Sequence, residues 1–170
     1  MMVTKAKAQY DPTFSHYWAL EPSFNPAAVG KESKLNIAVD YAMALTGFEN
    51  NPTTMYAAAD MPFYFIKSYH GAGAQMLNDQ ICLFSHKSFA LQYAFRQKLF
   101  GGMLGIGVQV GMISETFDGS KVDTETPNDN AFPSSEVNGS ALDIGAGLYY
   151  THRQWYLGIS AKHLTAPTIQ

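Results

Sequence analysis

Charge is what this sequence has least of. Charged side chains make up 15% of its 170 residues, against roughly 25% in an ordinary soluble domain, so little is left to dress a water-facing surface. The net charge of -3 is spread along the chain, and without a basic stripe electrostatic capture of nucleic acid is not expected. One cysteine, Cys82, cannot close an internal disulfide and reads as a small half-buried side chain. No run approaches the ~18 apolar residues of a transmembrane helix. A membrane-crossing role would therefore require a closed β-barrel, the other way to satisfy every backbone polar group in lipid. The start, MMVTKAKAQY, offers Ala6 and Ala8 in the spacing a signal peptidase cuts after, but no apolar stretch precedes them.

Constellations that carry chemistry are missing as well. GAGAQM lacks the third glycine of a dinucleotide loop, and GIGVQVG lies within a strand pattern with no helix after it. His16, His70, His86, His152 and His163 are scattered, with no i, i+4 pair and no second cysteine, so no metal site is expected. Asp118, Asp123, Glu125 and Asp129 share a long polar stretch without the spacing of a calcium loop, and read as a solvated acidic loop. No G-x-S-x-G elbow occurs. Asp143 and Lys162 could face one another as polar residues of an interior. No cofactor is implied and no catalytic group stands out.

What the chain does have is alternation. In KSFALQYAFRQKL, Phe89, Leu91, Tyr93 and Phe95 alternate with Ser88, Ala90, Gln92, Ala94 and Arg96, a period of two. GMLGIGVQVGMI sets Leu104, Ile106, Val108, Val110 and Met112 against Gly105, Gly107, Gln109 and Gly111. ALDIGAGLYY, QWYLGISAKHL and LNIAVDYAMAL repeat the scheme, and weaker strands are expected near 53–61 and 70–77. The count is about seven strands with no convincing helix. The inward glycines relieve crowding on a concave face or permit sharp curvature.

Such alternation fits a soluble sheet with one face in a core, or a membrane barrel with one face in lipid. Strands of roughly 10 or more residues are long for soluble sheets and suit a tilted bilayer crossing. The joins after the fourth and sixth strands, FGG and THR, are tight, whereas those after the first, third and fifth read as longer and polar. The second, PFYFIKSY, is of middling length and greasy. Short turns at one end and long loops at the other match an outer-membrane barrel with periplasmic short turns. Phe95, Phe100, Tyr149, Tyr150, Trp155 and Tyr156 crowd around the tight turns, where an interfacial girdle belongs. This polarity puts the N-terminal segment on the periplasmic side.

That segment, QYDPTFSHYWALEPSFNPAAVG, holds neither a helical nor a strand period. It resembles the mature N-terminus of the PorP/SprF family of Bacteroidota outer-membrane proteins, which opens on Q-x-D-P-x-F-S-x-Y followed by N-P-A-x-x-G. Asp11, Pro12, Phe14, Tyr17, Asn25, Pro26 and Gly30 occupy those motif positions. Downstream, GFENNPTTMYAAADMPF resembles the family's first loop and second strand. LNDQI, with Asn78 and Asp79, resembles its N-D-x-I turn, and LQYAFRQKL, with Tyr93 and Arg96, its Y-A-[FY]-R strand. The closing hairpin GAGLYYTHRQWYLGISAKHL matches through Gly145, Gly147, Tyr149, Tyr150, Tyr156, Gly158, His163 and Leu164.

The resemblance implies a non-enzymatic barrel of the type IX secretion system, which exports cargo and in gliding bacteria moves surface adhesins. It implies periplasmic-ring or peptidoglycan-linked partners, secreted cargo and outer-membrane lipid around the barrel. Family members carry a full signal peptide and further strands, so the chain is expected to be a truncated member covering the N-terminal half. The expected fold is all-β, an antiparallel outer-membrane β-barrel, partial, with an irregular N-terminal segment. Its divisions are a signal remnant or unstructured piece at 1–8, the irregular periplasmic-side segment at 9–32, barrel strands at 33–165 and a tail at 166–170. The alternatives are an outer-membrane pore or lipid-transporting barrel, with Gln92, Arg96, Gln109, Asp143 and Lys162 lining a wet lumen, and a soluble all-β binding module.

Overall fold

The structure, a computed structural model, describes residues 20–44, 51–118 and 136–165. Seven strands follow in chain order: β1 (Asn36–Met43), β2 (Thr53–Phe65), β3 (Ser68–Ile81), β4 (Phe84–Leu99), β5 (Gly102–Asp118), β6 (Glu136–Thr151) and β7 (Tyr156–Ala161). Each pairs antiparallel with its sequence neighbours, and the sheet curls into a half-barrel. One short helix, α1 (Glu21–Phe24), and a 3-10 turn at Pro26–Ala28 precede the strands.

Period-two patterning sets the two faces. Outward side chains include Ile37, Val39, Phe89, Leu91, Ile106, Val108, Val110, Leu157 and Ile159, all exposed. A soluble sandwich would pack these against a second layer, yet Phe89, Ile106 and Leu157 are 53%, 47% and 60% exposed on a continuous apolar surface. The apolar side of this barrel-like sheet is therefore its outward side.

This outward face has a sharp edge. Met76, Phe89, Met112 and Leu142 are cross-strand partners in one row, and the next outward row toward the strand ends is Asn78, Lys87, Ser114 and Ser140. A further two residues along stand Gln80, Ser85, Thr116 and Asn138. A 16-residue strand such as β4 tilted by ~40° rises about 40 Å, well over the ~25 Å apolar band of a membrane barrel. The polar rows lie beyond an apolar band of that height.

Two joins differ from the sequence pattern. PFYFIKSY is not a loop but the end of β2 and the start of β3, closed by a two-residue turn at Ile66–Lys67. The join after the third strand is not long and polar either, because β3 and β4 run on to meet at Cys82–Leu83. In both places the strand outlasts its legible alternation. The connections at 66–67, 100–101 and 152–155 share one end, hereafter the hairpin end. Those at 44–52, 82–83 and 119–135 share the other, the loop end.

Ile66 (φ 47°) and Lys67 (φ 58°) both sit in the left-handed region, which suits hairpin twist but disfavours a β-branched residue. Replacing the pair by Asn-Gly is expected to stabilise the protein by about 1 kcal/mol. Urea unfolding of detergent-refolded protein would measure it.

Candidate functional site

The concave face carries small and polar residues, and residues 20–30 lie against it. Local chemistry explains their path. Pro22 lies in the first turn of α1 with Glu21 beside it, both favoured there. Asn25 leaves the helix in an extended conformation (φ -137°, ψ 107°) and its Oδ1 accepts from Ala27 N–H at 3.0 Å, starting the 3-10 turn at Pro26. Gly30 (φ +66°) turns the chain away again. Pro26, Ala27, Ala28 and Val29 are fully or almost fully buried.

Glycines make room for them. A Cβ on Gly107 would lie 2.5 Å from Ala27 Cα, and one on Gly105 would lie 2.8 Å from Ala27 O. On Gly71 it would strike Val29, and on Gly147 the side chain of Asn25. One on Gly158 would approach Asn25 Nδ2 to 3.1 Å. These residues form a bare lane on which backbone rests against backbone, a use of glycine inside strands that only close approach explains. Gly145 does not belong to it, since a Cβ there would meet nothing nearer than 3.4 Å.

Hydrogen bonds fasten the plug at several points. Asn25 Nδ2 donates to Leu148 O at 3.1 Å, Gly30 N–H to Asp60 Oδ2 at 2.8 Å, and Gln92 Nε2 to Pro22 O at 2.6 Å. Gln92 belongs to a relay across four strands. Its Nε2 also reaches Gln109 Oε1 (2.9 Å), which accepts from Gln75 Nε2 (3.1 Å), while Gln75 Oε1 accepts from Tyr56 Oη (3.0 Å). Lys31 Nζ meets Glu21 Oε2 at 2.5 Å, and Tyr149 Oη donates to the same oxygen at 3.1 Å. Burial works against the Lys31 charge, but Glu21 outweighs it and holds the amine above its ordinary range. A raised lysine value means that its share of the pair is fully present at neutral pH and fades only as pH climbs past 10.5.

The Asn25→Ala substitution removes the acceptor that starts the turn and the donor to Leu148 together. A loss of about 2 kcal/mol is expected. Asn25→Asp keeps the acceptor but sets a buried carboxylate oxygen against Leu148 O, and should lose at least as much in the same unfolding measurement.

The motif residues fall into distinct places. Asn25, Pro26 and Gly30 are in the plug, Gly147 and Gly158 under it, and Tyr149 beside it, stacked on Tyr156 at 5.7 Å. Arg96 points inward and is 6% exposed, with its Nη1 unpartnered among the described residues. Asp79, also inward, accepts from Thr54 Oγ1 at 2.6 Å. Asn78 lies on the outward polar row. Tyr93 Oη meets His70 Nδ1 at 2.7 Å, within a cage where His70 also stacks on Phe63. Tyr150 reaches Leu99 O (3.1 Å) and packs on Trp155. His163 Nδ1 approaches Asp143 Oδ1 at 3.0 Å, and Leu164 N–H bonds Ile144 O at 2.9 Å. Asp11, Pro12, Phe14 and Tyr17 lie outside the described residues, as do Asp123, Glu125, Asp129 and the divisions at 1–8 and 166–170. Gly71, Asp60 and Gln75 escaped sequence reasoning. The inward parity of Gly71 in HGAGAQM was the available signal.

Among the described residues no helix is long and apolar enough to cross a membrane, and no group of three or more His, Cys, Asp or Glu is placed to hold a metal ion. The arrangement is one for packing and fastening a segment of the chain. No curated protein and no solved structure matches the sequence. The family model for the type IX secretion system membrane protein PorP/SprF matches residues 6–170, and with a glycine-backed β-sheet whose apolar face turns outward, the chain belongs to that family.

Proposed function

We propose that the protein is a non-enzymatic outer-membrane component of the type IX secretion system and acts as a plugged scaffold rather than a conduit. The observation that carries this reading is the plug seated against the concave face. Gln92, Gln109 and Arg96, the side chains that would wet a channel, are 5%, 4% and 6% exposed, and Gln92 is bonded to the plug. By the usual asymmetry of outer-membrane barrels the hairpin end faces the periplasm, where ring or peptidoglycan-linked components would be met. The loop end then faces the surface, where exported cargo emerges. The motif residues are structural in this reading.

Conductance in planar bilayers tests it. The intact protein should be silent, and deletion of residues 20–30 should give open events. A steady channel from the intact chain would favour the pore instead.

A further inference from the structure

The two ends of the sheet differ in charge and in how the apolar face meets them. At the loop end two polar rows lie between that face and the connections, and the connections at 44–52 and 119–135 carry Glu49, Asp123, Glu125 and Asp129 against one lysine, Lys121. At the hairpin end the apolar face runs up to the turns, with Phe65, Leu99 and Tyr150 outward and within two residues of them. From Met112 to Gly102, β5 rises about 26 Å at a tilt of ~40°, close to the ~25 Å apolar band of a membrane barrel. The hairpin turns therefore stand at the other edge of such a band. Each offers a large apolar side chain with a cation close by. Ile66 is followed by Lys67, Phe100 stands two residues after Lys98, and Trp155 two residues after Arg153. Ile66 and Phe100 are 76% and 87% exposed, and Trp155 is half exposed. The three cations are exposed as well, and none forms an ion pair with a described residue. No Asp or Glu occurs in 61–72, 95–104 or 148–158, while Glu21 and Glu32, in the segment before β1, are held by Lys31 and Lys34.

We propose that this rim binds the anionic headgroups of a phospholipid leaflet. Lys67 and Arg153 meet lipid phosphates, Lys98 adds its charge from the concave side, and Ile66, Phe100 and Trp155 enter the layer just beneath. The inference rests on the membrane reading above and names the lipid chemistry of its hairpin end. A basic group beside an aromatic or aliphatic one is the pair that settles where hydrocarbon meets water, and each such cation favours an anionic lipid over a neutral one by about fivefold. Neighbouring turns are two strands, about 10 Å, apart along the rim. Single charges strung at one height along a curved rim fit a plane of phosphates met at every turn, whereas an acidic protein would call for a compact cationic patch.

Tryptophan quenching decides. The full chain carrying Trp18→Phe, which leaves Trp155 as the one tryptophan, is reconstituted into vesicles of phosphatidylcholine mixed equally with phosphatidylglycerol, with bromine on the acyl chains of one lipid or the other. Brominated phosphatidylglycerol should quench Trp155 as though enriched about fivefold beside it. The excess should vanish in Lys67→Gln/Lys98→Gln/Arg153→Gln, and shrink in molar salt, where charges reach only about 3 Å. Equal quenching by the two lipids, or an excess that survives the triple variant, would overturn the proposal while leaving the barrel in lipid, and equal quenching would return the cations to an acidic protein partner. Quenching by neither lipid would sink the membrane reading and this proposal with it. Should Trp18→Phe fail to fold, the native chain and its triple variant are compared with Trp18 in place, and an identical lipid preference in the two counts against the proposal.

Discussion

Alanine at Gly107 is expected to cost about 3 kcal/mol and to loosen residues 25–30 from the concave face, although it adds a single methyl group. That methyl would lie 2.5 Å from Ala27 Cα and closer still to Ala27 N and Pro26 C, and all three are backbone, which cannot swing aside as a long side chain could. The plug has to lift. When it does, the bonds from Asn25 to Leu148 and from Gly30 to Asp60 weaken together, each worth about 1 kcal/mol. The burial of Val29, now complete, contributes up to about 2 kcal/mol more. Gly145→Ala is the matched control. It sits on the same face, two residues from Gly147, but its Cβ would meet Ala161 O at 3.4 Å and Gln109 Cβ at 3.6 Å, which is ordinary contact. Its effect should stay within about 0.5 kcal/mol. Urea unfolding gives the energies, and trypsin cleavage after Lys31 reports whether the plug is free. Equal behaviour of the two variants would mean that the lane does not seat the plug.

How far the sequence discloses this architecture depends on which physical signal each part leaves. The outward apolar stripe of β4 and β5 is plain, because every second residue from Phe89 to Phe95 and from Leu104 to Met112 is apolar. The ends of the same strands are not. Past Met76 and Phe89 the apolar side changes from outward to inward, so Asn78, Lys87, Ile81 and Phe84 break the phase of the alternation. A strand whose polarity inverts midway reads as a strand followed by a loop. The plug is hidden for another reason. NPAAVG shows that a segment lacks a period, but Gly107 and Gly147, on which it rests, are some eighty and more residues further on, and glycine bears no chemistry that points to a partner. Asn25 and Gly147 both stand at family-motif positions, and only the fold brings them into contact. The relay of Gln75, Gln92 and Gln109 is similar: each is an inward polar residue on its own strand, and the register alone aligns them.

Arginine in place of Val108 should be the most damaging change on the outward side. Val108 is half exposed and sits in the row of Ala72, Tyr93 and Ala146, two rows inside the polar edge marked by Met112. If hydrocarbon covers this row, a guanidinium there should cost about 2–4 kcal/mol, against about 0–1 kcal/mol near an interface. Ser114→Arg, three rows from Val108 on the same strand and already beyond the edge, supplies that second value. Both positions face outward, so neither disturbs the plug, and in plain water an exposed arginine at either would be nearly neutral. The difference between the two variants, measured by urea unfolding from lipid vesicles, therefore locates the edge of the bilayer on β5. Equal small effects would mean that water or protein, not lipid, touches Val108. The apolar row from Leu104 to Met112 would then need a protein layer over it, and a membrane scaffold would no longer account for the exposure of Phe89, Ile106 and Leu157.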